Sequence, residues 1–331
     1  MIFKVNITLQ MFSLKKPLFY CEKCREYSKS ENYSFFVDKV IEKVALAKPY
    51  IKIDRIAYID LLECNGKKIS ENIIIDEAVW HSTLRCAGKP DGSCFKDSEF
   101  EKNILEWKKT GAKVVYYDYL MGIYSCKQRW LPIADELQAV CRRFKEVGIY
   151  GLGSQMECYN LWNNIFNFYT YGRTAYDTEL SMADNLERFC RIFGEGAPYI
   201  KEIICIGEDI VDGQSPLSKM TPYLMEHIDK EKIYALYEKA FEEAKTPLCR
   251  NNIRLMRMVW RYTDLELSEN PIADESIPAY ISTVPDKTGE LWYMHENFDS
   301  FISGNEGFGI SIPVSMHTDA AFKPDYWYMF E

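Results

Sequence analysis

Three times along this chain a short apolar run meets acidic and aromatic residues and then passes into a helical segment. That recurrence limits the fold more than any other feature. The runs are Asn72-Ile73-Ile74-Ile75-Asp76-Glu77-Ala78-Val79-Trp80-His81, then Ala112-Lys113-Val114-Val115-Tyr116-Tyr117-Asp118-Tyr119, then Gly148-Ile149-Tyr150-Gly151-Leu152-Gly153-Ser154-Gln155-Met156-Glu157. Buried parallel strands read as near-continuous apolar runs. In a β/α barrel the chemistry sits where such strands end. Carboxylates beside rings at successive strand ends suit a sugar cleft, where rings stack on C–H faces and acids bond hydroxyls or move protons.

Composition sets the outer bounds. A chain of 331 residues can bury one large core or two modest ones, and with 15% aromatic residues it reads as folded. The net charge of −9 and the lack of a Lys/Arg cluster exclude a nucleic-acid partner. No run approaches the ~18 apolar residues of a membrane span, so no membrane partner is expected. The amino terminus alternates like a strand over Met1 to Gln10 and lacks the charged-then-apolar layout of a signal peptide, which makes a cytoplasmic location the expectation. The 11 cysteines are scattered and odd in number. Cys141, Cys190 and Cys205 fall inside expected helices, as free buried thiols of a reducing compartment do.

Periodicity predicts strands over residues 3–10, 51–59, 72–79, 113–119 and 149–153, alternating with helices over 31–48, 99–110, 135–147 and 160–171. Gly111 and Gly148 read as helix stops. From Asp177 helices dominate, over 183–193, 198–211, 230–245 and 252–267, with breaks at Gly194-Glu195-Gly196 and Asp212-Gly213. The long segment from His81 to Asp97 reads as a functional loop, and the stretch beyond Pro271 as mixed with β-like pieces. The expected organisation is α/β: a partial TIM-type β/α barrel of about five strand–helix units in 1–175, a helical domain in 176–270 and a small tail in 271–331. Five units do not close an eight-stranded barrel. Open edges would need a cover, so a homo-oligomer or a missing N-terminal barrel half is held open.

Taken in order, these segments resemble a bacterial family described only as "domain of unknown function 4838", within the broad group of sugar-cleaving barrels that includes α-glucuronidases and β-hexosaminidases. The likeness is carried by Cys21-x-x-Cys24, Ile56-Ala57-Tyr58, Tyr117-Asp118-Tyr119, Gly148-Ile149-Tyr150-Gly151 with Glu157 beyond it, Tyr176-Asp177-Thr178-Glu179, and Phe189-Cys190-x-x-Phe193-Gly194-x-x-Ala197. It runs from about residue 3 to 245 and implies a β/α barrel, a helical companion and an oligo- or polysaccharide ligand. Members of the family usually end the first of these strands with Asn-Asp. Here the corresponding stretch is Gln10-Met11-Phe12-Ser13, without a carboxylate.

Glycoside hydrolysis uses two carboxyl groups, one of them held protonated against apolar or aromatic surface. Asp118, between Tyr117 and Tyr119, and Glu157, near Trp162, are the expected catalytic pair. Each also has a structural reading: a loop-bonding acid for Asp118, a helix-start acid for Glu157. Asp76 and Glu77 are adjacent on a strand and point to opposite faces, so only one reaches the mouth. Tyr58, Asp76, Glu77, Trp80, His81, Tyr117, Tyr119 and Trp162 are the expected sugar-binding residues. Arg85, Lys127 and Arg129 suit a uronate carboxylate, though solvated loop charge is the commoner role. The Cys21-x-x-Cys24 pair lacks further ligands at zinc-finger spacing, so neither a metal nor another cofactor is expected. The function read from these residues is a glycoside-hydrolase-like activity on an oligo- or polysaccharide, uronic-acid-containing ones among the candidates, with a non-catalytic sugar-binding descendant as the alternative.

Overall fold

The computed structural model describes residues 4–6, 22, 26–58, 61, 64, 66–78, 99–118, 129–154, 162, 164–211 and 217–267. Five strands form one sheet: β1 (Lys4–Asn6), β2 (Lys52–Ala57), β3 (Ile73–Ala78), β4 (Lys113–Asp118) and β5 (Gly151–Ser154). All neighbours are parallel and the spatial order is the chain order. Between the strands run α1 (Lys29–Ala47), α2 (Glu99–Lys109) and α3 (Ala134–Val147). Then follow α4 (Ile165–Tyr176), α5 (Met182–Cys190), a 3-10 turn (Arg191–Gly196), α6 (Ala197–Val211), α7 (Leu217–His227), α8 (Lys230–Glu243) and α9 (Pro247–Leu267). The protein is thus mixed α/β, mostly helical, with a parallel sheet.

Local chemistry explains the boundaries. Ser28 opens α1 with a capping box: its hydroxyl accepts from the Glu31 amide at 3.1 Å, and the Glu31 carboxylate accepts from the Ser28 amide at 2.9 Å. Gly148 closes α3 at φ +72°, a left-handed cap that favours glycine. The expected helix over 160–171 is instead Ile165–Tyr176, and that over 183–193 breaks at Cys190, because Gly194 takes φ +57° inside the turn. Helix α7 escaped sequence reading, since Ser215, Pro216 and Pro222 gave its stretch a loop-like composition. Cys141 and Cys190 are buried as expected, whereas Cys205, on α6, is exposed. Cys21, Cys24, the loop of residues 81–97, the Asp212-Gly213 break and the tail from 271 lie outside the described residues.

The chain divides into two compact units. The first holds the sheet, α1 to α4, most of α5, residues 204–211 of α6, and α7. Its core lies between the sheet and helices α1 to α3, where Tyr33, Ile53, Ile75, Ile104, Trp107, Tyr116, Leu137 and Phe144 are all buried. Each such side chain contributes about 1.5–3 kcal/mol of transfer free energy. The second holds the 3-10 turn, residues 197–203 of α6, α8 and α9. There Asp264 is fully buried, with Lys230 at 3.1 Å and the Tyr234 hydroxyl donating at 3.0 Å.

Residues 129–133, directly before α3, have no regular structure and are held by side chains. Asn167 of α4 donates to the Leu131 carbonyl at 2.6 Å and accepts from the Ile133 amide at 3.3 Å. Ile133 supplies no side-chain cap to α3; Glu208 of α6 does so from a distance of 74 residues in sequence, accepting from the Ala134 amide at 2.8 Å and the Asp135 amide at 3.3 Å. Burial, reinforced by Asp135 and Glu136, outweighs those two donors and pushes Glu208 up to about 8. One residue earlier, Gly207 lets the ring of Trp130 lie on the helix: a Cβ there would sit 2.5 Å from Trp130 Cη2 and 2.8 Å from Pro132 Cγ. Gly207→Ala is therefore expected to destabilise the protein by about 1–3 kcal/mol through overpacking. Gly172→Ala, where nothing lies within 4 Å of the added carbon, should be neutral or stabilising. Urea unfolding of both variants checks this; equal stability of the two would contradict the packing described.

Candidate functional site

Strand register assigns every side chain of β2 to β4 to one of two faces, because alternate residues point opposite ways and in-register partners point together. Arg55 pairs with Ile75, Ile56 with Asp76 and Ala57 with Glu77. Across the next step, Asp76 pairs with Val115, Glu77 with Tyr116 and Ala78 with Tyr117. One face therefore carries Ile53, Arg55, Ala57, Ile75, Glu77, Val114 and Tyr116. Helices cover it: the Arg55 guanidinium lies 5.5 Å from the Tyr33 ring of α1 and 4.7 Å from that of Trp107 in α2, and Tyr116 packs on Phe144 of α3 at 4.2 Å. The opposite face carries Asp54, Ile56, Ile74, Asp76, Ala78, Val115 and Tyr117.

The adjacent acids Asp76 and Glu77 thus part company. Asp76, 8% exposed, joins the face opposite the helices with Asp54, 2% exposed and one step lower on β2. From in-register spacings, their Cα atoms are about 8 Å apart. Tyr117 lies at the C-terminal end of the same face. A Cβ on Gly153 would stand 3.1 Å from Tyr117 Cδ2, so the bare glycine of β5 is what lets that ring lie across the neighbouring strand. Tyr58 follows directly on β2 and is half-buried. Asp118 ends β4 with its backbone in register with Ser154. Its side chain, and Trp80, His81, Tyr119 and Glu157, lie outside the described residues, as do Arg85 and Lys127. Trp162 is buried and belongs to the second unit. Of the expected sugar-binding residues the sheet therefore gathers Asp76, Tyr117 and Tyr58 at one face and end, and sends Glu77 to the other side.

Glu77 is 0% exposed, and neither carboxyl oxygen has a hydrogen-bond partner among the described residues. Burial alone pushes it up to about 9, so near neutrality it is a neutral acid. Arg55 is 3% exposed, and its Nε and Nη2 have no hydrogen-bond partner among the described residues. Its ring contacts supply on the order of 0.5–2 kcal/mol, against several kcal/mol for removing a cation from water. Sequence reading missed both Asp54 and Arg55. The signal was present in Lys52-Ile53-Asp54-Arg55-Ile56-Ala57, an opposite-charge pair inside a strand that a parallel sheet buries on both faces.

Among the described residues no group of three or more His, Cys, Asp and Glu side chains could hold a metal ion, and no helix is long and apolar enough to cross a membrane. Fold and faces together define an α/β protein with a singly wound parallel sheet, one side packed under helices and the other carrying acids and tyrosines. The family described as "Domain of unknown function (DUF4838)" matches residues 19–204, more than half of the 331 residues, and the chain belongs to it. No curated protein and no solved structure matches the chain.

The buried acid gives a pH prediction. The unfolded chain releases the Glu77 proton around its ordinary value of 4.5, whereas the folded chain keeps it to about 9. The folded state then holds the extra proton, so stability is fully present below 4.5 and falls as pH rises toward 9. Glu77→Gln, which cannot ionise, should gain on the parent between pH 5 and pH 8 by up to about 4 kcal/mol, at about 1.4 kcal/mol per pH unit. Urea unfolding at the two pH values measures it, and a gap that does not change with pH would remove Glu77 as its cause.

Proposed function

We propose that this protein is glycoside-hydrolase-like, with a partial β/α barrel that takes an oligo- or polysaccharide across the C-terminal ends of its strands. One observation carries the reading: the face opposite the helices holds Asp54 and Asp76, with Tyr117 above them and Tyr58 and Asp118 at the strand ends. Parallel strands in chain order with helices on one side are the arrangement from which such barrels are built, and their inner face and strand ends hold the chemistry. Carboxyl groups at that end can share the roles of proton donor and of base or nucleophile, as glycoside hydrolysis requires. Tyrosine rings provide flat surfaces for sugar C–H faces. Asp118 and Glu157 remain the proposed acid–base pair, Asp76 a substrate-binding acid, and Trp80, His81 and Tyr119 its neighbours along the rim. Glu77, beneath the helices, has no part in this site.

A second reading rests on Gln10-Met11-Phe12-Ser13, which lacks the acid that related chains place after the first strand. On that reading the same cleft binds a sugar without cleaving it. A hydrolysis screen on aryl glycosides and uronic-acid oligosaccharides separates the two. Turnover that falls at least a hundredfold in Asp118→Asn and Glu157→Gln, and survives in Glu77→Gln, is the expected result. Absence of turnover on every substrate, from a chain shown folded by circular dichroism, would leave the binding protein.

A further inference from the structure

We propose, resting on the carbohydrate reading above, that Gly153 positions the Tyr117 ring as a stacking platform for an uncharged pyranose unit. Gly153 and Tyr117 are register partners on β5 and β4, on the face opposite the helices. A Cβ at Gly153 would stand 3.1 Å from Tyr117 Cδ2 and 3.9 Å from Cε2, so the ring edge takes the space of a side chain. The backbone does not call for glycine here. Left-handed φ occurs at Gly66, Gly111, Gly148 and Gly194 among the described residues, and not at Gly153. Gly151 falls on the same face, yet a Cβ there would meet only Val115 Cγ2, at an ordinary 3.6 Å. Gly153 alone of the two is fitted to the ring. Strand β5 has little freedom to yield instead. It is paired with β4, and Tyr171, buried on α4, donates its hydroxyl to the Gly153 carbonyl at 3.5 Å. An added methyl group must therefore turn the ring.

A ring can also lie on a sheet glycine merely to cover it. Such a ring would be as buried as Tyr116, which is 2% exposed. Tyr117, Val115, Gly151 and Gly153 are instead all half-buried, whereas every residue of β3 is buried. The β4–β5 side of this face thus reaches solvent, with a tyrosine ring already pinned across it. A platform fixed in advance loses little freedom when a ligand stacks on it. Charge names the class of sugar. Asp76 is the diagonal neighbour of Tyr117 on β3, and Asp54 lies beyond it on β2. Lys52 and Lys113 belong to this face too, but at the N-terminal ends of their strands. There Lys52 donates to the Glu71 carbonyl at 2.9 Å and the Lys113 ammonium lies 4.5 Å from the Tyr150 ring. A uronate on Tyr117 would meet acids and no cation from the described strands, whereas the hydroxyls of a neutral pyranose can donate to those acids.

The test is titration calorimetry of the full chain with cellohexaose, mannohexaose and hexagalacturonate. We expect a neutral hexaose to bind tightest. Gly153→Ala should weaken its binding about fivefold and Tyr117→Leu about tenfold, while Tyr117→Phe binds as the parent does. Gly151→Ala, on the same strand and face but away from the ring, should also bind as the parent does. In the double variant Gly153→Ala should add no loss to that of Tyr117→Leu, because the glycine acts only through the ring. Should Gly153→Ala fail to fold by circular dichroism, equal affinities of Tyr117→Phe and Tyr117→Leu would still overturn the platform. Unchanged binding in Gly153→Ala, additive losses in the double variant, an equal loss in Gly151→Ala, or a preference for hexagalacturonate would each overturn this proposal and leave the carbohydrate reading standing. No binding of any of the three would overturn both.

Discussion

The in-register parallel pairing of β2, β3 and β4 is the constraint on which the rest of the molecule depends. With a side-chain period of two, it alone decides that Asp76 lies with Asp54 and Tyr117 while Glu77 lies with Arg55 and Tyr116. A slip of one residue between β2 and β3 would exchange the two acids between the faces, bringing Asp76 under the helices in place of Glu77. In the observed register Ile73, Ile75 and Ile53 are buried in the helix-covered layer with Trp107. The chemistry of the site is in this sense a by-product of apolar packing on its reverse side.

The two units bury charge by different physical means. In the second, Asp264 is matched by Lys230 and by the Tyr234 hydroxyl, which in turn accepts from Arg261 at 3.1 Å. Breaking such a network by removing one member leaves a buried charge uncompensated. In the first, Glu208 is met by backbone amides at a helix start and Glu77 by no hydrogen-bond donor among the described residues, and burial raises both acids. Arg55 has no such escape, and two aromatic faces stand in for water.

Much of the sheet was legible because Ile73-Ile74-Ile75 and Val114-Val115 are apolar runs too short for helices and are bounded by glycine or polar turns. The opposed faces of Asp76 and Glu77 were legible too, from strand geometry alone. Which of them the helices cover was not, since both faces of a parallel strand are apolar and the sequence carries no label for inside. Asp54 and Arg55 were passed over because isolated charges in a strand usually mark a solvent-facing edge. Glu208 looked like any acid on a helix: its target, the Ala134 amide, is far away in sequence and visible only once α4 and α6 have fixed the segment between them.

That long-range cap also separates two kinds of boundary. The family pattern stops at residue 204, in the middle of α6, whereas Gly207 and Glu208, which seat Trp130 and close the first turn of α3, come just after it. The stretch that evolution marks as one module is therefore shorter than the stretch that physics requires to complete it. A polypeptide ending at the family's edge would leave the Ala134 and Asp135 amides of α3 without the carboxylate that caps them, and Trp130 without the glycine it lies on.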